Sequence, residues 1–465
     1  MLSILRPGVL VPALLAAALA APAAGLAARP MQTAFIDPFA FGGPEADVAF
    51  ARAKDAGTQA VRLQLVWFST APKSKPPVGF RPTDPGEPAY DFGYLDDQVR
   101  RAKTAGLEPI VYIEAAPKWA YVRDHGHLRP DPKAFAAFTL AAARRYSGHF
   151  EGLPRVRFWQ AWNEPNKVAS PALKEGAPDW YREMLDGFAA AVHQVHSDNA
   201  VVAGGLSPFG ISTAVAPLDF MRRLLCMSKG EHPKATCHTV TPFEIWSTHP
   251  YTTGGPTHMA ARPDDVSLGD LPEMKTLLDA AVRAHHVRSR QKVRFWVTEF
   301  SWDSDPPDPK GVPMKLHTRW VSEALYRMWA AGVSLCVWFR LTDDPVGATP
   351  YQSGLYFHGA TIRASKPKPS LQAFRFPFVA LPDGDRLLVW GRTPDSKPGR
   401  VVVEQRTRSG WRRLATPTAD RFGIFSKVVT GHGTGDLRAR LADGDTSVPF
   451  SPTPVPDVPV SPFGS

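Results

Sequence analysis

Almost continuously apolar segments alternate with amphipathic ones along most of the chain. Eight of the apolar segments are rich in Val, Ile, Phe and Trp, which is typical of strands buried on both faces of a parallel sheet. The segments between them carry apolar residues at helical spacing. The strand candidates are residues 33–41, 59–68, 108–116, 156–164, 200–208, 243–251, 293–302 and 333–341.

A helical segment follows each strand candidate. Two of these helices end in Ala-Gly, at Gly106 and Gly332, where a glycine can take the left-handed conformation that closes a helix. Eight repeats of strand and helix predict an α/β protein with a (β/α)8 TIM barrel over residues 29–376. The helix candidates are residues 46–57, 94–106, 133–146, 179–196, 218–226, 273–286, 318–332 and 369–376.

The pattern changes after Phe376. Short segments with partial alternation, separated by turns rich in Gly and Asp, predict a small all-β sandwich domain over residues 377–450. Residues 451–465 are rich in Pro, and we expect this tail to be extended or disordered. A Pro- and Gly-rich insertion at residues 71–93 follows the second strand, so in a barrel it borders the face where active sites lie.

The N-terminus combines an early Arg, an Ala-rich apolar run and small residues near Ala23 and Ala28. This pattern predicts a secretory signal peptide over residues 1–28, with an uncleaved membrane anchor as the alternative. Later segments are not apolar for long enough to cross a bilayer. We therefore expect a secreted or cell-envelope protein with no stable membrane insertion after the signal is cleaved.

Composition and charge narrow the choice of partners. The 465 residues are 44% hydrophobic and 21% charged, which is enough apolar side chain for a packed core. The formal net charge is +10, but the basic residues form no block, so nucleic acid is not an expected partner. Diffuse positive charge of this kind suits solubility or contact with an anionic cell surface.

The chain has three cysteines. Cys226 and Cys237 flank a polar loop, which in an exported protein predicts a local disulfide. Cys336 lies in an apolar run and is expected to be a buried free thiol. The spacing of Cys and His residues matches no zinc site, so no metal is expected.

Two glutamates end strand candidates. Glu164 closes the fourth strand, and Pro165 then prevents the ladder from continuing. Glu299 occupies the equivalent end of the seventh strand. Residues at these ends of barrel strands face the substrate, so the two carboxyls can converge on one bond. Glycoside cleavage needs two such groups, one to protonate the leaving oxygen and one to attack or to activate water.

The ordered motifs resemble the clan A glycoside hydrolases, most closely families 39 and 5. WNEPN at residues 162–166 is similar to the acid/base strand of that clan, and TEFSW at residues 298–302 to the nucleophile strand. Further similar motifs are VRLQLVW with Arg62, HPY at residues 249–251 and VWF with Trp338. The resemblance spans the whole predicted barrel.

The resemblance implies a role for each matched charged or aromatic residue. Glu164 would be the general acid/base, and Glu299 the nucleophile of a retaining reaction that needs no metal or organic cofactor. His249 would border both carboxylates. Arg62 would approach Glu299 as an opposite charge, and Tyr251 would donate a hydrogen bond to Glu299.

Other side chains complete the expected sugar site. Asn163 would bind the sugar 2-hydroxyl, an interaction that strengthens in the transition state. Pro117 and Trp119 stand where family 5 usually has a histidine, a departure that resembles family 39. Because the C–H faces of sugars pack on indole rings, we expect Trp119, Trp302 and Trp338 to form sugar platforms, with core packing as the alternative for each.

The sequence therefore predicts a secreted, monomeric, retaining glycosidase that acts on a polysaccharide or glycoconjugate. Two alternatives from other classes stay open: a catalytically silent barrel that binds glycans, and a structural protein of the cell surface. The sugar, its linkage and the choice between exo and endo action depend on loops whose shape the sequence does not fix.

Overall fold

The computed structural model describes residues 29–124, 126–347, 349 and 351–461. The predicted signal peptide at residues 1–28 lies outside the described residues. Eight parallel strands close into a barrel in which neighbours in sequence are neighbours in space, so the predicted fold class is confirmed. The strands are β1 (Gln32–Ile36), β2 (Ala60–Val66), β3 (Glu108–Glu114), β4 (Phe158–Ala161), β5 (Ala200–Leu206), β6 (Ile245–Thr248), β7 (Arg294–Phe300) and β8 (Val333–Phe339).

Helices surround the barrel, and some begin with clear sequence signals. Asp37 and Asp131 each accept a hydrogen bond from the backbone of the helix that follows, and each of these helices has Pro in its first turn. The helices are α1 (Pro38–Gly42), α2 (Ala46–Asp55), α3 (Trp67–Thr70), α4 (Gly93–Thr104), α5 (Pro132–Arg145), α6 (Ala177–Val195), α7 (Pro217–Leu224), α8 (Leu271–Arg283), α9 (Met314–Ala330) and α10 (Pro369–Arg375).

Alternation along the strands decides which residues face the barrel interior. Tyr112 of β3 and Val337 of β8 belong to a small apolar cluster formed by alternate residues of the barrel strands and separate from the main core. The next inward positions on these two strands are therefore Glu114 and Phe339, at the rim where the strands end. Trp338 faces outward and belongs to the main core under the helices.

Small antiparallel sheets follow the barrel, as the sequence predicts. One contains β9 (Phe378–Asp383), β10 (Arg386–Arg392) and β13 (Ile424–Val429), and the other contains β11 (Val402–Thr407), β12 (Gly410–Ala415) and β14 (Leu437–Arg440). Short two-stranded ladders pair Tyr121–Asp124 with His127–Pro130, Thr241–Pro242 with Val287–Arg288, Ser304–Asp305 with Val312–Pro313, and Gly399–Arg400 with Thr418–Ala419.

The sheets share a core with the barrel. The ring of Trp390 lies 5.5 Å from that of Trp329 in α9. Buried Arg392 donates to Met31 O at 2.7 Å and to Thr33 Oγ1 at 3.2 Å, where β1 begins. The C-terminal domain therefore contacts the barrel at the start of β1, whereas the catalytic-type residues lie where strands end.

The Pro-rich tail returns to the barrel rim. Asp457 accepts a hydrogen bond from Gly255 N at 2.7 Å and lies 2.6 Å from the His258 ring. Val460 N donates to Thr253 O at 3.0 Å. The described part of the tail is therefore tied to the loop after β6 as a segment without helix or strand, which agrees with the extended alternative of the prediction.

Cys226 and Cys237 are joined by a disulfide, with their Cα atoms 5.3 Å apart, and Cys336 is a buried free thiol. Among the described residues, no helix combines the length and apolar character needed to cross a bilayer. In the same part of the chain, no cluster of three or more His, Cys, Asp or Glu side chains is placed to hold a metal ion.

Candidate active site

Glu164 occupies a strained turn just beyond the end of β4. Trp162 and Glu164 both have left-handed backbones, with φ of 67° and 47°. Such conformations cost about 1–3 kcal/mol for ordinary residues and cluster at functional sites. The backbone of Glu164 is held by a hydrogen bond from its N–H to Gly205 O at 3.1 Å.

Two neighbouring residues fix this turn. At Gly205, φ is 64°, a left-handed backbone that favours glycine, and a Cβ atom there would lie 2.5 Å from the end of the Gln160 side chain. The buried side chain of Asn166 accepts from Ser207 N at 2.9 Å and donates to Ser207 O at 3.0 Å and Val215 O at 2.9 Å. The Asn-Glu-Pro-Asn loop is thus braced against the loop after β5.

Glu299 reaches the rim through an irregularity of β7. The register of β7 against β8 shifts between Val297 and Phe300, near the end of β7. Such a shift lets consecutive side chains point to the same face of a strand. Thr298 Oγ1 accordingly lies 3.1 Å from His249 Nε2. The next residue, Glu299, accepts a hydrogen bond at Oε2 from the Tyr251 hydroxyl at 3.2 Å.

Arg62 of β2 contacts both Asn163, which follows β4, and Glu299 of β7. Its buried guanidinium donates to Glu299 Oε1 at 2.6 Å, to Asn163 Oδ1 at 2.8 Å and to Gln160 Oε1 at 3.0 Å, and it lies 3.8 Å from the centre of the Tyr112 ring. A planar guanidinium presents donors in a fixed fork, so it sets the positions of all three acceptors. Because Arg62 takes the oxygen of Asn163, the amide NH2 is turned away from Arg62.

His249 brings the two carboxylates together. Its Nδ1 lies 3.2 Å from Glu164 Oε1 and 3.7 Å from Glu299 Oε2. The imidazole is fully buried, whereas the side chains of Glu164 and Glu299 are 14% and 12% exposed. Two glutamates from separate strands therefore converge on one gap that opens to solvent.

The charges around Glu164 oppose the effect of its burial. Burial raises the pKa of this carboxyl, but the hydrogen bond and charge of His249 and the ammonium of Lys167 lower it to about 2. Lys167 contacts Glu164 Oε2 and keeps half of its side chain exposed. Burial, followed by the charges of Glu299 and Glu164, raises the pKa of Tyr251 far above its usual value, so Tyr251 is a neutral donor.

A third carboxylate, Glu114, lies at the same rim and is absent from the sequence prediction. It ends β3, accepts a hydrogen bond from Gln64 of β2, and is followed by Ala115 in a left-handed conformation with φ of 59°. The available signal was the alternation of the strand, because Tyr112 faces inward and Glu114 is the next residue on that side.

The surroundings of Glu114 favour its neutral form. Burial raises its pKa, and the negative charges of Glu299 and Glu164 add to the rise, while Gln64 and Arg62 act in the opposite direction. Those two charges place Glu114 in the electrostatic field of both catalytic-type carboxylates. A carboxyl in this position can donate or accept a hydrogen bond to a sugar hydroxyl.

Trp302 and Trp338 lie in the wall behind the site. They are 0% and 1% exposed, and their indole N–H groups donate to Gly254 O at 3.0 Å and Ser353 O at 2.8 Å. Neither offers an open ring face to a sugar, so the predicted platforms are not formed here. The physical reason for Trp338 is strand parity, because Phe339 holds the inward position.

Trp119 is half-buried beside the Pro-rich insertion. Its indole N–H donates to Pro72 O at 2.7 Å, and its ring meets that of Phe80 edge-on at 6.0 Å. The insertion at residues 71–93 therefore packs next to Trp119, which follows the end of β3. Sugar stacking on Trp119 stays a prediction.

The chain is similar in structure to solved proteins, but its sequence matches no known family. No protein-family model and no curated protein matches the chain. Similar solved structures include a glucosidase from Croceicoccus marinus, with 15% identity, a TM-score of 0.46, and 86% of this chain and 93% of that chain covered.

Two further similar structures come from Clostridium acetobutylicum. The glycoside hydrolase family 30 subfamily 8 xylanase Xyn30A has 12% identity and a TM-score of 0.46, with 87% of this chain and 94% of that chain covered. A GH5-4 broad specificity endoglucanase has 13% identity and a TM-score of 0.46, with 73% and 95% covered.

Proposed function

We propose that this protein is a retaining glycoside hydrolase in which Glu299 is the nucleophile and Glu164 the general acid/base. The observation that supports this most is the shared contact of both carboxylates with His249 Nδ1, at 3.2 and 3.7 Å. These contacts limit the distance between Glu164 Oε1 and Glu299 Oε2 to less than about 7 Å, which is compatible with the carboxyl separation of about 5–5.5 Å in retaining enzymes.

The reaction follows from the two positions. Glu164 gives its proton to the glycosidic oxygen while a Glu299 oxygen attacks the anomeric carbon, so the bond to the leaving group breaks as a glycosyl ester forms. Glu164, now a carboxylate, takes a proton from water, and the resulting hydroxide displaces Glu299 and releases the sugar. The same carboxyl thus acts first as an acid and then as a base.

Neighbouring residues position these two groups. Arg62 and Tyr251 each hold one oxygen of Glu299, so the nucleophile keeps a fixed orientation. Asn163 turns its amide NH2 away from Arg62, where it can donate to the sugar 2-hydroxyl in the transition state. The chemistry is carried by side chains of the chain and includes no step that calls for a cofactor.

We also propose that the protein acts outside the cytoplasm, as a monomer, on a polysaccharide or glycoconjugate. The disulfide between Cys226 and Cys237 supports an oxidising compartment, in keeping with the signal-like N-terminus.

The proposal is tested with a panel of 2,4-dinitrophenyl glycosides and cell-wall polysaccharides, with the anomeric configuration of the product followed by NMR. We expect hydrolysis with retention by the wild type. Glu299→Gln should lose activity on every substrate. Glu164→Gln should lose far less on dinitrophenyl glycosides, because that leaving group departs without a proton, than on polysaccharides.

Glycan binding without hydrolysis of any member of the panel would favour the silent binding protein instead. Inversion at the anomeric carbon would reject Glu299 as a nucleophile. Equal losses for Glu164→Gln on activated and unactivated substrates would reject its role as the acid.

A further inference from the structure

We propose that Lys167 recognises an anionic group, such as a uronate carboxylate or a sulfate ester, on the leaving-group part of the glycan. The inference rests on the proposed function and specifies its substrate class. The inference comes from the contact of the Lys167 ammonium with the carboxyl of Glu164, the group that must act as the acid.

Lys167 is anchored at its backbone and exposed at its tip. Its N–H donates to Glu164 O at 2.9 Å, and it pairs with Ala214 in an isolated bridge to the loop after β5. The side chain folds back so that Nζ contacts Glu164 Oε2, yet it remains 53% exposed. A lysine held this way can change partner without any movement of the Asn-Glu-Pro-Asn loop.

The contact between Lys167 and Glu164 conflicts with acid catalysis. A cation against a carboxyl stabilises the ionised form, and protonation of the leaving oxygen needs the neutral form. His249 also faces Glu164, while Glu299, Glu114 and the hydroxyl of Tyr251 lie across the gap. Among the described residues, two positively chargeable neighbours touch Glu164, and of these His249 is enclosed and Lys167 reaches solvent.

An anion on the departing sugar resolves the conflict. If it draws the ammonium away, Glu164 loses a positive neighbour and takes up a proton at the moment when substrate is bound. After the sugar leaves, Lys167 returns, and its charge favours the carboxylate that must act as base in the second step. Substrate charge and acid strength would then be coupled through one side chain.

Other positive groups lie on the same side of the rim. Lys174 Nζ donates to Ile211 O at 2.9 Å, on the loop whose Ala214 pairs with Lys167. Arg129 Nη1 donates to Gly176 O at 3.2 Å, in the segment that contains Lys174. The acidic residue in this segment, Glu175, already accepts from Arg223 at 2.9 Å. Lys174 thus brings a second ammonium to the loop that pairs with Lys167.

The test uses the full chain and three polysaccharides that contain uronates, namely alginate, polygalacturonate and hyaluronan, each before and after carboxyl reduction. Binding is measured by calorimetry in a Glu299→Gln background with Lys167→Met or, as the matched control, Lys315→Met, which removes an exposed lysine at the start of α9. We expect Lys167→Met to weaken binding of an acidic polymer about 10-fold and to leave its reduced form unchanged.

A second readout is the pH profile on an unactivated neutral aryl glycoside that the wild type hydrolyses. Lys167→Met should move the alkaline loss of activity to higher pH, because Glu164 would hold its proton more strongly, and Lys315→Met should not. A purely structural ion pair would move this profile as well but would leave the preference for acidic glycans unchanged, so the two readouts together identify a substrate role.

Equal effects of Lys167→Met and Lys315→Met, or binding of only the reduced polymers, would overturn the inference. If the protein hydrolyses dinitrophenyl glycosides but does not bind polymers that contain uronates, the proposed function stands. Lys167 would then have no role in substrate recognition. Binding of uronates that depends on Lys167, without hydrolysis of any glycoside, would keep the anion site and reject the enzyme.

Discussion

Two groups of buried charges lie where the barrel strands end, and they differ in access. In the first, Glu164 and Glu299 surround His249 and keep 14% and 12% of their side chains exposed. In the second, Lys368 and Asp343 form an ion pair at 2.6 Å in which both side chains are 0% exposed. Both groups follow barrel strands in sequence, yet only the first keeps its carboxylates partly exposed to solvent.

The sealed group is built around one lysine. Lys368 also donates to Ser304 Oγ at 2.8 Å and to Gln352 O at 3.0 Å, while Asp303 accepts from Gln352 N at 3.0 Å. Burial raises the pKa of Asp303 to about 7 and that of Asp343 to about 6. These contacts tie together the loops after β7 and β8.

A carboxylate at a strand end is therefore not by itself a catalytic group. Asp303 follows Glu299 by only four positions in the chain, and its side chain is enclosed at 3% exposure. What separates the two groups is access, because the carboxylates of the first reach solvent at a shared gap and Asp343 of the second does not.

The largest expected effect comes from removing the central cation of each group. Arg62→Met should lower kcat/KM by about 100-fold or more, because Glu299 and Asn163 lose the donor that orients them. Lys368→Met is the matched variant of the sealed group. It should reduce the free energy of unfolding by about 3–5 kcal/mol, as for other broken buried pairs, with little change in the kcat/KM of the folded enzyme.

Steady-state kinetics and denaturant unfolding of both variants check this contrast. A loss of kcat/KM for Lys368→Met as large as that for Arg62→Met, in protein shown to be folded, would erase the distinction between the two groups.

The pH dependence of stability should come from the sealed group. The pKa of Asp303 is about 7 in the folded chain and about 3.9 in an unfolded one, so the folded state binds the proton more tightly. Its contribution to stability is complete below pH 4 and is lost as pH rises toward 7. Between pH 5 and pH 8 this loss amounts to about 2–3 kcal/mol.

Asp303→Asn should remove that part of the pH dependence, since an amide does not titrate. Urea unfolding of the wild type and the variant at pH 5 and pH 8 measures it. The same pH dependence in both proteins would mean that Asp303 is not the titrating group.

Glu114 gives the smallest expected effect and sharpens the description of the open group. Glu114→Gln should reduce kcat/KM about 10-fold, mostly through KM, if this side chain binds a sugar hydroxyl. Glu108→Gln is the matched control, because Glu108 begins the same strand and is bound to Lys103 at 2.7 Å. Indistinguishable kinetics for the two variants would remove Glu114 from the site.

Much of this arrangement could be predicted from sequence because it depends on local patterns. Apolar runs and helical spacing gave the eight strands of the barrel, and the ends of those runs gave Glu164 and Glu299. The polar partners that the motifs indicated, Arg62 and Tyr251, contact Glu299 in the structure.

The rest depends on strand parity and on contacts between distant residues. Phe339 and Trp338 are adjacent in sequence, and only the register of β8 decides that Phe339 faces the barrel and Trp338 the helices. The pairing of Lys368 with Asp343 joins residues on different segments, which no local pattern reveals. The alternation of β3 could have placed Glu114 on the inward side of the barrel, but Glu114 matched no motif.

The most direct test of the central claim is to trap the glycosyl-enzyme. The wild type is incubated with the 2-deoxy-2-fluoro form of a dinitrophenyl glycoside that it hydrolyses, and the digested protein is sequenced by mass spectrometry. One sugar attached to Glu299, and none in Glu299→Gln, is the result that this account predicts. A label on any other residue, or turnover of the parent glycoside with inversion and no label, would contradict it.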